Sequence, residues 1–211
     1  MTIHNGVDLE LLNRLAAEPA EAGKPDATRY DGVTIITSGR LTQQKGHDLL
    51  LQAFSRVCRV EPCKMIILGE GVLRGDLEHL ACTLGIADRV VFAGWQQNPF
   101  RFLAMADIFV LSSHYEGFPN ALLEAMALGL PVISTDCPTG PAELLDGGRY
   151  GLLVPPNDPD ALANALLTLV RDRTQRQRYA GMSVERAAAF SLTGMVASYE
   201  SLLEDMVGTT A

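Results

Sequence analysis

The chain has 211 residues, 47% of them apolar, and its 25 acidic and 17 basic side chains give a formal charge of −8. This length fits one large domain or two small ones, each with a core of its own. The acidic balance excludes the basic surface of a nucleic-acid-binding protein, and no apolar run reaches the ~20 residues of a membrane-spanning helix. The first ten residues lack the charged and apolar regions of a secretory signal, so we expect a cytoplasmic protein.

Apolar runs of strand length alternate along the chain with segments of helical period. The predicted strands cover residues 33–38, 64–68, 90–93, 108–111, 131–134 and 151–154. Helices are predicted between them over residues 47–60, 73–84, 99–106, 120–128 and 140–146. Strands that are apolar along their whole length are typical of a parallel sheet covered on both faces. The pattern predicts an α/β fold, with a Rossmann-like, doubly wound sheet of about six strands.

Beyond Pro155 no further strand is predicted. Residues 159–171, 174–189 and 192–206 have helical periodicity and form a predicted helical tail over 159–211. The polar, Pro- and Gly-containing segment 17–31 is predicted to be a loop. We interpret residues 1–211 as a single domain.

Metal ligands and disulfides are not indicated by the Cys and His spacing. The four cysteines include no C-x-x-C pair, and the four histidines do not cluster; they are Cys58, Cys63, Cys82 and Cys137, and His4, His47, His79 and His114. The cysteines are expected to be small apolar residues in a reducing compartment. We predict no metal site and no cofactor.

Ligands of open parallel sheets bind at the carboxyl ends of the strands. Gly39, Arg40 and Lys45 directly follow the first predicted strand and precede a helix. The glycine allows close approach of the backbone, and two cations beside a helix N-terminus favour a diphosphate. Solvated surface charges are the alternative, and spacing alone leaves both open.

A second candidate site follows the fourth predicted strand. It consists of the segment Ser112-Ser113-His114-Tyr115-Glu116-Gly117-Phe118-Pro119-Asn120, which leads into an apolar helix. The one charged residue of this helix is Glu124. Gly117 gives the loop before this helix conformational freedom, so several of its backbone N–H groups could point toward an anion. A carboxylate among apolar side chains is costly to bury without a partner, so Glu124 either faces solvent or accepts hydrogen bonds from a ligand.

Gly94 and Trp95 follow the third predicted strand, where they form either a turn or one wall of a base or sugar pocket.

The order of these motifs resembles the C-terminal, donor-binding half of the family 4 (group 1) retaining glycosyltransferases. Glu116 and Glu124, with the seven residues GFPNALL between them, match the family's signature. Matching segments also occur at 5–8 (NGVD), 39–41 with 45–46, 69–71 (GEG), 94–95 and 137–143. The resemblance extends from His4 to the final helix and implies one half of a GT-B architecture, in which two Rossmann-like domains face each other across a cleft.

The resemblance also implies roles for individual residues. Arg40 and Lys45 would neutralise the diphosphate leaving group beside Gly39, and Glu116 would contact the donor sugar; these three charged side chains are the predicted catalytic residues. Glu124 would accept hydrogen bonds from the ribose hydroxyls. The remaining donor-binding positions would be the backbone of Gly117, Phe118, Pro119 and Asn120 for sugar and phosphate, and Gly94 and Trp95 for the nucleobase. UDP-sugar is the implied donor class, with a glycan or lipid-linked acceptor.

The N-terminal acceptor-binding domain of that family has no counterpart in the 211 residues. We therefore expect the isolated chain to bind donor and to transfer little sugar, with the missing domain as its partner. Any membrane contact, at the inner face of the membrane, is expected to lie on that domain. The alternative is a non-catalytic nucleotide-binding module or partner subunit, which would bind nucleotide without discriminating among sugars.

Overall fold

In the computed structural model, which describes residues 2–18 and 32–208, six strands form one parallel sheet. The strands are β1 Val33–Ser38, β2 Cys63–Leu68, β3 Val90–Gly94, β4 Ile108–Leu111, β5 Val132–Thr135 and β6 Leu152–Val154. Their order is β3-β2-β1-β4-β5-β6, and every neighbouring pair is parallel. The predicted doubly wound, six-stranded parallel sheet is confirmed. The loop predicted over residues 17–31 lies outside the described residues, apart from 17 and 18.

Helices separate the strands and continue after the last one. They are α1 Leu9–Ala16, α2 His47–Val57, α3 Arg74–Thr83, α4 Phe100–Ala104, α5 Asn120–Ala127, α6 Pro141–Leu144, α7 Pro159–Arg171, α8 Arg173–Ala188 and α9 Leu192–Gly208, with short 3-10 turns over 43–45 and 87–89. The start of α7 matches its sequence signal, because the Asp158 side chain accepts hydrogen bonds from the N–H groups of Asp160 and Ala161. The predicted helical tail is confirmed in α7, α8 and α9.

Two predictions of local structure need correction. Helix α6 is shorter than the predicted 140–146, because Asp146, Gly147 and Gly148 have positive φ angles of 49°, 63° and 96°, which a right-handed helix does not allow. Helix α1 was not predicted. Asp8 caps it by accepting a hydrogen bond of 2.9 Å from Leu11 N–H, and Leu12 is buried.

Apolar side chains fill a core on each face of the sheet. Neighbouring residues of one strand point to opposite faces, so Ile35 belongs to one core and Ile36 to the other. Helices α2, α3 and α7 cover the first face, whereas α1, α4, α5 and α8 cover the second. The expectation of helices on both faces is therefore confirmed.

The sheet reverses its winding between β1 and β4, which are neighbours although two strands separate them in sequence. The helix after β1 lies on the first face and the helix after β4 lies on the second. Such a reversal opens a crevice at the carboxyl ends of the two strands. The loops after β1 and β4 border this crevice.

The first and last described segments of the chain pair with each other. Val7 forms an isolated parallel bridge with Ser191: Val7 N–H donates to the Phe190 carbonyl at 2.8 Å, and Leu192 N–H donates to the Val7 carbonyl at 2.9 Å. Helix α9 then presents exposed apolar side chains at helical spacing; these are Leu192, Val196, Tyr199, Leu203 and Met206. Among the described residues, no helix is both long and apolar enough to cross a membrane.

Candidate functional site

The crevice between β1 and β4 contains an ion pair. Lys45, at the end of the 3-10 turn after β1, lies with Nζ 2.6 Å from Oε1 of Glu116 in the loop after β4. The side chains are only 17% and 6% exposed, respectively. A carboxylate this buried requires a charged or hydrogen-bonding partner, and the ammonium group supplies one. The structure thus brings together two predicted catalytic residues from distant parts of the sequence.

The loops after β4 and β5 hold Glu116 in place. Ser113 Oγ donates to the same carboxylate oxygen at 2.6 Å, and the Ser113 carbonyl accepts a hydrogen bond of 2.6 Å from Thr135 Oγ1. Glu116 N–H donates to the Pro138 carbonyl at 2.9 Å, while Thr139 N–H donates to the Glu116 carbonyl at 3.0 Å. Ser113 belonged to the predicted second site without an assigned role, whereas sequence reasoning missed Thr135.

Two glycines allow the turn after β1 to present Lys45. The Lys45 side chain passes over Gly39, where a Cβ atom would lie 3.4 Å from Lys45 Cδ. Gly46 has a φ of 57°, and a Cβ there would lie 2.2 Å from the Ser112 carbonyl oxygen. Ser112 Oγ donates in turn to the Lys45 carbonyl at 2.9 Å. The backbone of this turn is therefore fixed against the loop after β4.

The same turn also packs directly on the loop after β2. A Cβ at Gly69, whose φ is 131°, would lie 2.0 Å from the Gly39 carbonyl oxygen, and one at Gly71 would lie 2.4 Å from the Leu41 carbonyl oxygen. Hydrogen bonds join the two loops, since Leu41 N–H donates to the Glu70 carbonyl at 2.9 Å. Only glycine fits at residues 69 and 71.

Arg40 projects from this turn and is exposed. Within residues 2–18 and 32–208, no carboxylate forms an ion pair with it. Its guanidinium group, on the same turn as Lys45, is therefore available to an anionic ligand.

Glu124 lies on α5, on the second face of the sheet, and is partly buried. Burial among apolar neighbours raises the pKa of its carboxyl group from the usual 4.5 to about 7. In the described part of the chain, no side chain donates a hydrogen bond to this carboxyl group.

Contacts with the N-terminal segment hold the loop 117–120. The His4 ring stacks on Phe118 with centroids 5.5 Å apart, and Asn5 Nδ2 donates to Asn120 Oδ1 at 2.9 Å. Pro119 is buried beside Gly140, where a Cβ atom would lie 2.7 Å from Pro119 Cδ. At Gly117 an added Cβ would meet no atom within 4 Å, so the loop is open on that side.

Gly94 and Trp95 lie apart from the ion pair, at the end of the edge strand β3, with β2 between them and β1. Gly94 has a φ of 72°, and a Cβ there would lie 2.7 Å from Oε1 of Glu70. The Trp95 side chain is 71% exposed. At a strand spacing of about 4.8 Å, β3 and β1 are roughly 10 Å apart, so one ligand would have to be extended to reach both.

No group of three or more His, Cys, Asp or Glu side chains that could hold a metal ion occurs among the described residues. The four cysteines are free; Cys63 and Cys137 are buried, whereas Cys82 is exposed.

Residues 32–172, which include both loops of the crevice, match the family model described as glycosyl transferases group 1. The chain belongs to the group 1 glycosyl transferases. This confirms the family resemblance found in the sequence. The match covers β1 to β6 and therefore every strand of the sheet.

This group 1 glycosyl transferase has curated relatives across its length. It is 34% identical to an uncharacterised glycosyltransferase of Methanocaldococcus jannaschii, over 97% of the chain and 57% of the relative. It is 33% identical to the N-acetylgalactosamine-N,N'-diacetylbacillosaminyl-diphospho-undecaprenol 4-alpha-N-acetylgalactosaminyltransferase of Campylobacter jejuni, over 89% of the chain and 49% of the relative. The chain spans about half the length of these relatives.

Solved structures of glycosyltransferases share the fold. The crystal structure of Anabaena HepE in complex with UDP and glucose superposes with a TM-score of 0.81 and 22% identity, covering 96% of this group 1 glycosyl transferase and 56% of HepE. The Rossmann-like sheet with helices on both faces matches its GT-B neighbours, as predicted.

Proposed function

We propose that the chain is the donor-binding half of a retaining glycosyltransferase that holds a nucleoside-diphosphate sugar, with UDP-sugar as the donor class. The acceptor is a glycan or a lipid-linked glycan. The observation that carries this proposal is the Lys45–Glu116 pair at the winding reversal, with the available cation Arg40 on the same turn as Lys45. UDP in the HepE structure and the undecaprenol-linked substrate in the name of the Campylobacter relative support it.

The charges of the crevice suit a diphosphate leaving group. Arg40 is free to neutralise one phosphate, and Lys45 Nζ has three N–H donors, of which Glu116 uses one. Charge develops on the diphosphate as the bond to the sugar breaks, so cations fixed at that position lower the barrier to transfer. Arg40 and Lys45 are therefore proposed to act on the leaving group, and no metal is required in this scheme.

The two glutamates are proposed to bind hydroxyl groups at different places. Glu116 uses Oε1 for Lys45 and Ser113, which leaves Oε2 to accept a hydrogen bond from the donor sugar. Glu124, whose carboxyl group has no donor in the described residues, would accept hydrogen bonds from the ribose. Gly94 and Trp95 would then contact the nucleobase, since the distance from β1 to β3 suits an extended nucleotide.

The acceptor site is proposed to require a second domain, because the relatives are about twice as long. The exposed apolar side chains of α9 are the proposed contact with that domain, since they would be removed from water there. The isolated chain is expected to bind donor and to transfer little sugar.

Calorimetric titration of the chain with UDP tests the proposal. We expect Arg40→Ala to weaken UDP binding at least tenfold, whereas Arg59→Ala, an exposed arginine beyond the other end of α2, should have no effect. Lys45→Ala should weaken binding too, but it leaves Glu116 buried without its cation, so its stability must be measured alongside.

Equal loss from Arg40→Ala and Arg59→Ala would contradict the proposed site. Titration with UDP-glucose, UDP-N-acetylglucosamine and UDP-N-acetylgalactosamine addresses the alternative: equal affinities for all three and for UDP would favour a non-catalytic nucleotide-binding module.

A further inference from the structure

Three aromatic rings from distant parts of the chain meet at the loop 117–120. The His4 ring stacks on Phe118 with centroids 5.5 Å apart, and the Phe190 centroid lies 5.8 Å from each of them. We name these three rings the ring cluster. We propose that His4 is a positioning residue for the donor, because through the ring cluster it fixes the shape of this loop. The inference rests on the proposed function, since it takes the backbone of the loop to contact the sugar and phosphate of the donor.

The loop 117–120 has main-chain donors to offer a ligand. Asn120 N–H donates to the Phe118 carbonyl at 3.0 Å, and Pro119 has no N–H group. Within residues 2–18 and 32–208, the N–H groups of Gly117 and Phe118 donate to no acceptor. Successive N–H groups of this kind can bind an anion, and they bind it more tightly when the backbone already holds them in place. The order of this loop should therefore affect donor affinity.

Hydrogen bonds fix the two ends of this loop. At its start, Thr139 Oγ1 donates to the carbonyl groups of Glu116 and Gly117 at 2.9 and 3.1 Å. At its end, the Pro119 carbonyl accepts hydrogen bonds of 3.0 and 3.1 Å from two N–H groups in the first turn of α5. Phe118 lies between these two ends, so the packing of its side chain determines how the middle of the loop is oriented.

Phe190 gives the other two rings a fixed support. Its carbonyl accepts a hydrogen bond of 2.8 Å from Val7 N–H, which joins the segment of Phe190 to the segment of His4. The guanidinium carbon of Arg186 lies 4.9 Å from the centroid of the Phe190 ring. The same guanidinium group donates to two carbonyl groups of α6, at 2.8 and 2.9 Å. Phe190 is therefore anchored through its main chain and across its ring.

His4 is held over Phe118 by contacts on either side of the stack. Its Nε2 lies 2.9 Å from Oε1 of Glu143. The next residue, Asn5, donates from Nδ2 to Oδ1 of Asn120 at 2.9 Å. The planes of the His4 and Phe118 rings differ by 28°, an offset geometry that adds stabilisation beyond the burial of the two rings. The segment 4–5 thus contacts the loop both at its middle and at its last residue.

These contacts of His4 concern the loop more than the sheet. Its partners Phe118, Phe190 and Glu143 lie in a loop, a helix junction and a short helix, and none of the three belongs to a strand. Phe118 and Phe190 are partly buried and pack at the margin of the second core. We therefore expect the loss of the His4 ring to reduce the order of the loop while the two cores of the sheet remain packed.

Calorimetric titration with UDP, together with ¹⁵N relaxation of the free chain, tests the inference. We expect His4→Ala to weaken UDP binding about fivefold and to lower the order parameters of the Gly117 and Phe118 N–H groups. His4→Phe keeps a ring on Phe118 and lacks the contact with Glu143, so it should retain both the affinity and the order. His79→Ala removes an exposed histidine of α3 and should change neither quantity.

The inference is overturned if His4→Ala binds UDP as tightly as the unmodified chain, or if His4→Phe loses as much affinity as His4→Ala. A loss of affinity with unchanged order at Gly117 and Phe118 also overturns it, because His4 would then act without the loop. Urea unfolding shows whether each variant is folded; if His4→Ala is not, His4→Leu, which keeps apolar bulk without a ring, takes its place. If the unmodified chain does not bind UDP, the proposed function fails, and the order parameters of the free variants still decide whether His4 fixes the loop.

Discussion

Replacing Glu124 with Gln should stabilise the empty protein at high pH. Burial raises the pKa of this carboxyl group from 4.5 to about 7, so the folded chain holds a proton that the unfolded chain releases. The free energy of unfolding therefore decreases as the pH rises from 4.5 through about 7, and the decrease is complete above that range. A glutamine at this position does not ionise and avoids the loss.

The size of the effect follows from the two pKa values. Each pKa unit corresponds to 1.36 kcal/mol, so the ionisation of Glu124 should cost about 2 kcal/mol more at pH 8 than at pH 5.5. Urea unfolding of the chain and of Glu124→Gln at both pH values measures this difference. The stability advantage of Glu124→Gln should grow by about 2 kcal/mol between pH 5.5 and pH 8.

Glu204→Gln is the matched control, because Glu204 is exposed on α9. Its effect on the free energy of unfolding should stay within about 0.5 kcal/mol at both pH values. If the advantage of Glu124→Gln were the same at pH 5.5 and pH 8, the carboxyl group would not titrate near 7 and the reasoning would be refuted.

The same substitution should weaken UDP binding, since the ionised carboxylate is the proposed acceptor for the ribose hydroxyls. A hydrogen bond to a charged group contributes about 1.5–3 kcal/mol, so Glu124→Gln should lose roughly 10- to 100-fold in UDP affinity at pH 8. At pH 5.5 the loss should be smaller, because most of the unmodified chain is then protonated at Glu124. At a given pH, UDP ionises equally in the titrations of the unmodified chain and of Glu124→Gln. The quantity to compare between the two pH values is therefore the ratio of the affinities of these two proteins.

Three further substitutions test other contacts of the site. Arg40→Ala should reduce UDP affinity at least tenfold without changing the urea midpoint, because its side chain is exposed; a large shift in the midpoint would assign it a structural role. Ser113→Ala removes a 2.6 Å hydrogen bond to Glu116 and should destabilise the chain by about 1–3 kcal/mol, measured by urea unfolding. Gly69→Ala should destabilise by more than about 2 kcal/mol, because its Cβ would lie 2.0 Å from the Gly39 carbonyl oxygen; thermal unfolding near that of the unmodified chain would contradict the close packing of the two loops.

The sheet could be predicted from the sequence because its strands are apolar on both faces, a signal that depends on neighbouring residues alone. The two helices that were predicted wrongly or not at all, α6 and α1, have local causes for the error. Helix α1 has an N-cap, Asp8, and buries Leu12, but it is only eight residues long, so its periodicity is brief. Helix α6 ends early because consecutive residues after it adopt positive φ angles.

The residues of the candidate site could be identified from the sequence, but their contacts with each other could not. Lys45 and Glu116 are separated by 71 positions, and their contact depends on β1 and β4 becoming neighbours. No role was predicted for Ser113, because a serine near the end of a strand is common and its bond to Glu116 depends on the shape of the loop. The chemical types of the charged residues were visible in the sequence, whereas the groups that hold them depend on contacts between distant loops.

The stacking of the turn after β1 on the loop after β2 affects how donor choice could be changed by engineering. Its shape is determined by main-chain atoms, since Gly69 and Gly71 press against the carbonyl groups of Gly39 and Leu41. A library that varies side chains in this turn would alter charge without moving the backbone. Trp95 projects from a separate loop and can be varied independently of it. Under the proposed function, the domain combines a diphosphate site of fixed shape with a nucleobase contact that can be varied, so new donor specificity should be sought at Trp95.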